Sequence, residues 1–254
     1  KKPLQLAATL VFACFFMVNC SKKSDGSAGG GTTPTPVTPT PSWDPNAIRG
    51  VWVTTTASTA LDSRANIKEM VTNCKAAGIN HIFVVVYNNA RTIYPSTVMQ
   101  NTIAKPQLEK FAGRDPLQEC IEEAHAAGLK LHAWFEYGFS SSYSANGGPI
   151  VAAKPNWAAK DINGALVVKN GFDWLNGLHP EVQQYIIDLF KEVVSRYDVD
   201  GVQGDDRLPA MPSIGGYDDY TVSLYKTENG GANPPSLSSD AGWVTWRANK
   251  LNLF

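Results

Sequence analysis

Two joints in this sequence are nearly the same: AAGIN at 76–80 and AAGLK at 126–130. Each closes an amphipathic, helix-like segment at a glycine, which suits the left-handed position just past a helix C-terminus. Each then enters an apolar run, INHIFVVVYNN at 79–89 and LKLHAWFEYG at 129–138. One helix is predicted over Asn66 to Ala77. The other starts at Asp115-Pro116, an N-cap followed by proline at the first helical position, and runs to Gly128. RGVWVTT at 49–55 supplies a strand before the first joint, and a helix from about Glu181 to Tyr197 leads into a fourth strand, VDGVQGDDR at 199–207. Strands this apolar, alternating with helices, need cover on both faces, so the pattern predicts a parallel sheet enclosed by helices.

A doubly wound sheet and a (β/α)8 barrel share that pattern. No glycine-rich phosphate loop follows the first strand, which counts against a dinucleotide fold. The polar and charged side chains gather at strand C-terminal ends and in the loops just after them, where barrel enzymes carry their chemistry. The predicted class is therefore α/β, a (β/α)8 TIM-type barrel. A complete barrel takes about 250 residues. With four strands and a final helix entry, GWVTWRANKLNLF, the sequence is expected to reach only to about strand four.

Strand parity assigns the faces. In LKLHAWFEYG, Leu129, Leu131, Ala133 and Phe135 suit the helix layer, and His132, Trp134 and Glu136 point into the barrel. In VDGVQGDDR, Val202 and Gly204 face the helices, Gln203 and Asp205 face inward, and Asp206 starts the loop. The second strand offers His81, Phe83, Val85 and Tyr87, and the first Trp52 and Thr54. The predicted mouth holds Trp52, Tyr87, His132, Trp134, Glu136, Asp205, Asp206 and Arg207, with Asn88 and Tyr94 in reach from the second loop. Plainer roles exist for several of these: His132 as a core histidine, Trp134 as core filling, Arg207 in a structural ion pair with Asp206. Asp218-Asp219, in a glycine-rich loop, reads as solvated. Buried carboxylates such as Asp205 and Glu136 cost too much to keep without a partner or a task.

The N-terminal end reads differently. Lys1-Lys2 precedes an apolar run from Leu4 to Val18 that is too short to span a bilayer comfortably. Met17-Val18-Asn19-Cys20-Ser21 has the form of a bacterial lipobox, so residues 1–20 are expected to be a lipoprotein signal peptide with Cys20 as the lipidated first mature residue. Residues 21–42, Gly/Ser-rich and then Thr-Pro repeats, are expected to be a flexible tether, with the barrel domain over 43–254. The expected location is the bacterial cell envelope, lipid-anchored at the outer membrane on its periplasmic face or surface. Cys74 and Cys120 sit in helix-like apolar segments and read as buried thiols. No Cys/His spacing points to zinc and no spaced oxygen series to calcium, so neither a metal nor a cofactor is expected. A net charge of −1 with no basic run excludes the usual signature of a nucleic-acid partner.

Several stretches together carry a resemblance: RGVWV (49–53), INHIFVVVYN (79–88), IYPS (93–96), DPLQECIEEAHAAGLKLHAWFE (115–136), HPEVQQYI (179–186), YDVDGVQGDDR (197–207) and WVTWR (243–247). The chain resembles the glycosyl-hydrolase-like family 10 proteins across essentially all of 43–254. The resemblance implies a (β/α)8 barrel, an exported bacterial protein and hydrolysis of glycosidic bonds, with peptidoglycan glycan strands as one implied substrate. Against the commonest family pattern, Tyr87 stands for an arginine, Gln203 for a histidine, Arg207 for an aromatic residue and Glu136-Tyr137 for Asn-Pro. Glycosidases use two carboxyl groups, one to protonate the leaving oxygen and one to attack the sugar or activate water. On that reading Asp205 is the nucleophile or base, and the second acidic group is Glu136, Asp206 or a carboxylate beyond Phe254. Trp52, Tyr87 and Trp134 would stack on sugar rings, and Arg207 and His132 would orient carboxylates. Asn88, Tyr94, Tyr137 and Gln203 complete the expected substrate-binding set. The alternatives are a non-catalytic glycan-binding envelope lipoprotein and a structural envelope protein.

Overall fold

The computed structural model describes residue 44 and residues 47–254. The expected signal peptide, Cys20, the tether and Trp43 lie outside the described residues. In chain order the elements are β1 (Gly50–Val53), α1 (Arg64–Ala76), β2 (His81–Asn88), β3 (Arg91–Thr92), α2 (Thr97–Ile103), α3 (Pro116–Ala126), β4 (Lys130–Phe135), β5 (Ser140–Tyr143), α4 (Gly148–Ala153), β6 (Val168–Lys169), β7 (Phe172–Trp174), α5 (Pro180–Arg196), β8 (Gly201–Gln203), α6 (Asp219–Glu228) and α7 (Ala241–Leu251). The parallel strands lie side by side in the order β1-β2-β4-β8, and β3 pairs antiparallel with β2. Consecutive parallel strands joined through helices form an arc of a (β/α)8 barrel, the predicted class.

Local chemistry explains the repeated joints. Gly78 and Gly128 both hold positive φ, +76° and +74°, just past α1 and α3. The Asp115 carboxylate accepts the Gln118 N–H at 3.1 Å, capping α3 ahead of Pro116. On the helix-facing side of the sheet Ile82, Val84, Leu131, Ala133 and Phe135 are fully buried, and Phe135 stacks on Phe190 of α5 with centroids 3.8 Å apart. Each of these side chains larger than alanine contributes roughly 1.5–3 kcal/mol by leaving water. Val202, expected on that same covered face, is instead 41 % exposed at the border strand. Of the two internal cysteines, Cys120 is a buried free thiol and Cys74 a half-buried one.

Two features differ from the expectation. The long connection between β4 and α5 folds into its own antiparallel sheet, order β5-β7-β6, with α4 packed on β5. Asp218 is buried rather than solvated: it caps α6 by accepting Thr221 N–H at 3.0 Å and takes Asn176 Nδ2 at 2.8 Å. Burial pushes its carboxyl above the ordinary range, against those hydrogen bonds. The WVTWR stretch opens α7, the helix expected there, and its side chains also clamp the preceding loops. Trp243 is fully buried, and the Arg247 guanidinium lies over its ring at 4.6 Å while donating to the carbonyls of Ser213, Gly215 and Ser238. No helix among the described residues is long and apolar enough to cross a membrane.

Asp200 latches the fourth parallel strand in place. Its carboxylate accepts from Lys130 Nζ at 2.6 Å, His125 Nε2 at 2.8 Å and the Leu131 N–H at 2.8 Å. Burial alone would raise this carboxyl, but the hydrogen bonds from Lys130, Leu131 and His125 outweigh it and lower it to about 2. A depressed folded-state value stabilises the fold above the unfolded value near pH 4. That contribution is lost as pH falls toward 2. Asp200→Asn is expected to cost about 2 kcal/mol at pH 7, about half of that at pH 3 and little below pH 2, measured by denaturant unfolding across that range.

Candidate active site

The pleat and the parallel register set side chains in rows across the inner face of the sheet. One row runs Trp52, Phe83, His132, Gly201. Trp52 stacks on Phe83 at 4.9 Å and Phe83 on His132 at 4.6 Å. The row ends in glycine for a steric reason: a Cβ on Gly201 would sit 2.7 Å from His132 Nδ1. The next row toward the strand ends carries Val85, Trp134 and Gln203. Gln203 Oε1 accepts the Trp52 indole N–H at 2.9 Å, tying the first parallel strand to the fourth.

Above these rows, at the C-terminal ends of the strands, lies a cleft of about 570 Å³. Trp52, Thr54 and Thr56 come to it from β1 and the loop beyond, and Asn88 and Asn89 from the end of β2. Trp134, Glu136 and Tyr137 come from β4 and its exit, and Tyr143 and Phe172 from the inserted antiparallel sheet. The Glu136 carboxylate takes hydrogen bonds from Asn88 Nδ2 and, at 3.5 Å, from the Thr54 hydroxyl. Both partners are neutral donors.

Asp205 stands beside this cleft, two residues past β8, joined to it by one guanidinium. Arg207 Nη2 donates to Asp205 Oδ2 at 2.8 Å and to the Glu136 backbone carbonyl at 2.7 Å. Its Nη1 lies 3.3 Å from Asp206 Oδ1. The guanidinium also covers the Phe172 ring at 4.4 Å and the Tyr137 ring at 5.8 Å. The two neighbouring aspartates thus differ sharply: the Asp205 side chain is 12 % exposed and that of Asp206 83 %. Burial, reinforced by the charge of Glu136, raises the Tyr137 phenol.

Of the residues expected at the mouth, the structure gathers Trp52, Asn88, Trp134, Glu136, Tyr137 and Arg207 around the cleft, with Asp205 on Arg207 and Gln203 beneath Trp52. Asp206 lies on the solvent side of Arg207. Tyr87, Tyr94 and His132 are elsewhere. The register of β2 against β4 slips between Val85 and Tyr87, a bulge that inserts one residue and reverses the parity beyond it. Tyr87 is therefore fully buried toward the helices, edge-on to Tyr185 of α5 at 6.2 Å, and the same reversal turns Asn88 toward Glu136. Tyr94 is fully buried, edge-on to Tyr197. Burial raises both phenols. His132 lies deeper in the barrel, its Nε2 2.7 Å from His81 Nδ1, and touches neither carboxylate. Burial, and then the charge of His81, lowers it. Thr56, Asn89, Tyr143 and Phe172 also line the cleft, beyond the set expected from sequence. Tyr143 and Phe172 come from a polar, glycine-containing insertion with no periodicity that announces a sheet. Among the described residues no group of three or more His, Cys, Asp or Glu side chains is placed to hold a metal ion.

The model of a family described as glycosyl hydrolase-like 10 matches residues 47–254. Glycosyl hydrolase DigH of Escherichia coli (strain K12) is 29 % identical over 238 residues, covering 81 % of this chain and 52 % of that protein. Glycosyl hydrolase YngK of Bacillus subtilis (strain 168) is 26 % identical over 174 residues, covering 63 % of this chain and 32 % of that protein. The chain thus spans about half the length, or less, of these relatives. Among solved structures, alpha-L-fucosidase isoenzyme 2 from Paenibacillus thiaminolyticus superposes with a TM-score of 0.57 at 21 % identity, over 80 % of this chain and 29 % of that one. A hypothetical protein from Ruminiclostridium thermocellum ATCC 27405 superposes with a TM-score of 0.52 at 15 % identity, over 70 % of this chain and 92 % of that one. At such identities the likeness is one of fold.

The arrangement rests on a close backbone approach. Gly138 holds φ +49°, and a Cβ there would lie 2.5 Å from the Arg207 carbonyl oxygen. That same carbonyl accepts the Phe139 N–H at 3.0 Å. Gly164 also has positive φ, +78°, but open space around it. Gly138→Ala is expected to cost about 2 kcal/mol more than Gly164→Ala in chemical denaturation, because only the first adds a clash to the shared backbone strain. Equal losses would show that the approach of the two loops is not sterically tight.

Proposed function

Because the chain belongs to the glycosyl hydrolase-like 10 family, we propose that it hydrolyses glycosidic bonds by a two-carboxylate mechanism. The observation that carries this reading is the joining of Glu136 and Asp205 through Arg207 at an aromatic-lined cleft on the C-terminal ends of the strands. Trp52 and Trp134 offer apolar faces for the C–H side of a sugar ring. Glu136, hydrogen-bonded to Asn88 and Thr54, acts as the acid that gives a proton to the leaving glycosidic oxygen. Asp205, paired with Arg207, attacks the anomeric carbon or takes a proton from the attacking water. Asp206, exposed to solvent, serves as a supporting charge on Arg207. The glycan is an envelope polysaccharide, with peptidoglycan strands first among candidates. The lipobox-like segment ending at Cys20 supports a lipid-anchored site of action in the bacterial envelope.

The test is product analysis with the full-length protein on denuded peptidoglycan strands and on plant and host polysaccharides. Wild type is expected to release reducing ends from at least one of them, while Asp205→Asn and Glu136→Gln each lose at least about a thousandfold in kcat, the scale of losing an acid–base or nucleophilic group. Near-normal turnover in either variant removes that residue from the mechanism. Glycan binding by wild type without any turnover would establish a binding lipoprotein instead.

A further inference from the structure

A second polar hollow, about 320 Å³, lies where α5 and α6 begin and shares no lining residue with the cleft. Its walls include Pro155, Lys160, His179, Tyr217, Asp219 and Tyr220. His179 and Asp218 are the N-caps of α5 and α6, so both helices start at this space. Asp218 builds the wall, its oxygens taken by Asn176 and Thr221. Tyr217 is also tied off, its hydroxyl donating to the Pro235 carbonyl at 2.9 Å.

His179 is only 8 % exposed, yet one ring nitrogen stays open. Its Nδ1 accepts the Glu181 N–H at 3.2 Å, which leaves the proton of the neutral ring on Nε2. Nε2 has no hydrogen-bond partner among the described residues. The described side-chain atoms that are sealed from solvent without a partner belong to Tyr87, Tyr94, Trp174, Arg207 and Trp243, and none belongs to His179. The Nε2–H therefore opens onto the hollow that His179 lines. The Tyr220 ring, with its centroid 4.8 Å from that of the imidazole, holds the ring in place. Two charges border the same space. Among the described residues, half-buried Lys160 has no carboxylate partner and exposed Asp219 no cationic one, and no ion pair joins the two.

We propose that this hollow binds a free α-amino acid with a small side chain. A lone anion set on the His179 N–H and the Lys160 ammonium would face Asp219. A lone cation set on Asp219 would face Lys160. A zwitterion satisfies both. Its carboxylate takes His179 Nε2–H and Lys160 at the start of α5, where the helix dipole favours negative charge, and its ammonium takes Asp219. One carbon separates the two charges of an α-amino acid. Both therefore fit a space at the small end of ligand pockets, which run roughly 300–1,000 Å³. The rings of Tyr217, Tyr220 and Pro155 give a short apolar side chain its wall. The inference does not rest on the glycosidase reading and uses no residue of the cleft.

The experiment is calorimetric titration of the full-length protein with glycine, L-alanine, D-alanine, propionate and ethylamine. Propionate is alanine without its ammonium, and ethylamine is alanine without its carboxylate. At least one of the three amino acids is expected to bind, with propionate and ethylamine each at least about tenfold weaker, the worth of one charge-assisted contact. Lys160→Ala and Asp219→Asn change side chains that hold nothing else in the protein. Each is expected to weaken amino-acid binding about tenfold and to leave the unfolding midpoint nearly unchanged. His179→Asn keeps a capping acceptor for α5, removes the Nε2–H and is expected to weaken binding by a similar factor. The proposal is overturned if none of the three amino acids binds, or if propionate or ethylamine binds as tightly as they do. Unchanged binding in Lys160→Ala or in Asp219→Asn also overturns it, since the amino acid then sits elsewhere. The hydrolase reading stands or falls separately, because no cleft residue is altered.

Discussion

The in-register pairing of the parallel strands is the constraint on which everything else here depends. Because β1, β2, β4 and β8 align row by row, alternate residues of each strand meet as neighbours on one face. Trp52, Phe83 and His132 become a stack, Gly201 leaves room at its end, and Trp52 reaches Gln203 across the arc. The opposite face packs Ile82, Leu131 and Phe135 against helices. The same pleat thus divides a hydrophobic core from a polar mouth within one layer of backbone.

Arg207 converts that layout into a site. A guanidinium is flat and carries donors at its edges, so it can stack on aromatic faces while spending its N–H groups in the plane. Here the faces are Phe172 and Tyr137 and the acceptors are Asp205, Asp206 and the Glu136 carbonyl. Three separate pieces of chain meet there: the exit of β4, the exit of β8 and the inserted antiparallel sheet. The glycine at 138 is what allows the first two to approach.

Most of the scaffold was legible because its signals are local. Asp115-Pro116 caps a helix through its own third-next N–H, and the glycines at 78 and 128 end helices by their own φ. Glu136 was legible by counting in twos from His132, and the contrast between Asp205 and Asp206 by the same count along β8. Tyr87 failed because a bulge at Val86 depends on how β2 meets β4, which no residue of β2 announces by itself. Tyr94 failed because its burial is decided by a helix more than a hundred residues away in sequence, through Tyr197. His132 was placed on the correct face but too high along the strand, since parity gives direction and not depth. The insertion sheet was missed because β6 and β7 are so short that alternation has no length in which to show.

The same bulge links these misses to the chemistry. Without the extra residue at Val86, Tyr87 would point inward and Asn88 would face the helices, leaving Glu136 without its amide donor. With it, a phenol is exchanged for an amide at the mouth and the phenol fills the core against Tyr185. A comparable exchange occurs at Arg207, where the resemblance to the wider family leads one to expect an aromatic residue. Stacked on Phe172, the guanidinium keeps the flat packing an aromatic ring would provide and adds donors that bind Asp205. Both departures change what the site can hold without disturbing the rows that support it. The loops and the bulge therefore set which side chains line the cleft, and the register beneath them sets the rows that carry it.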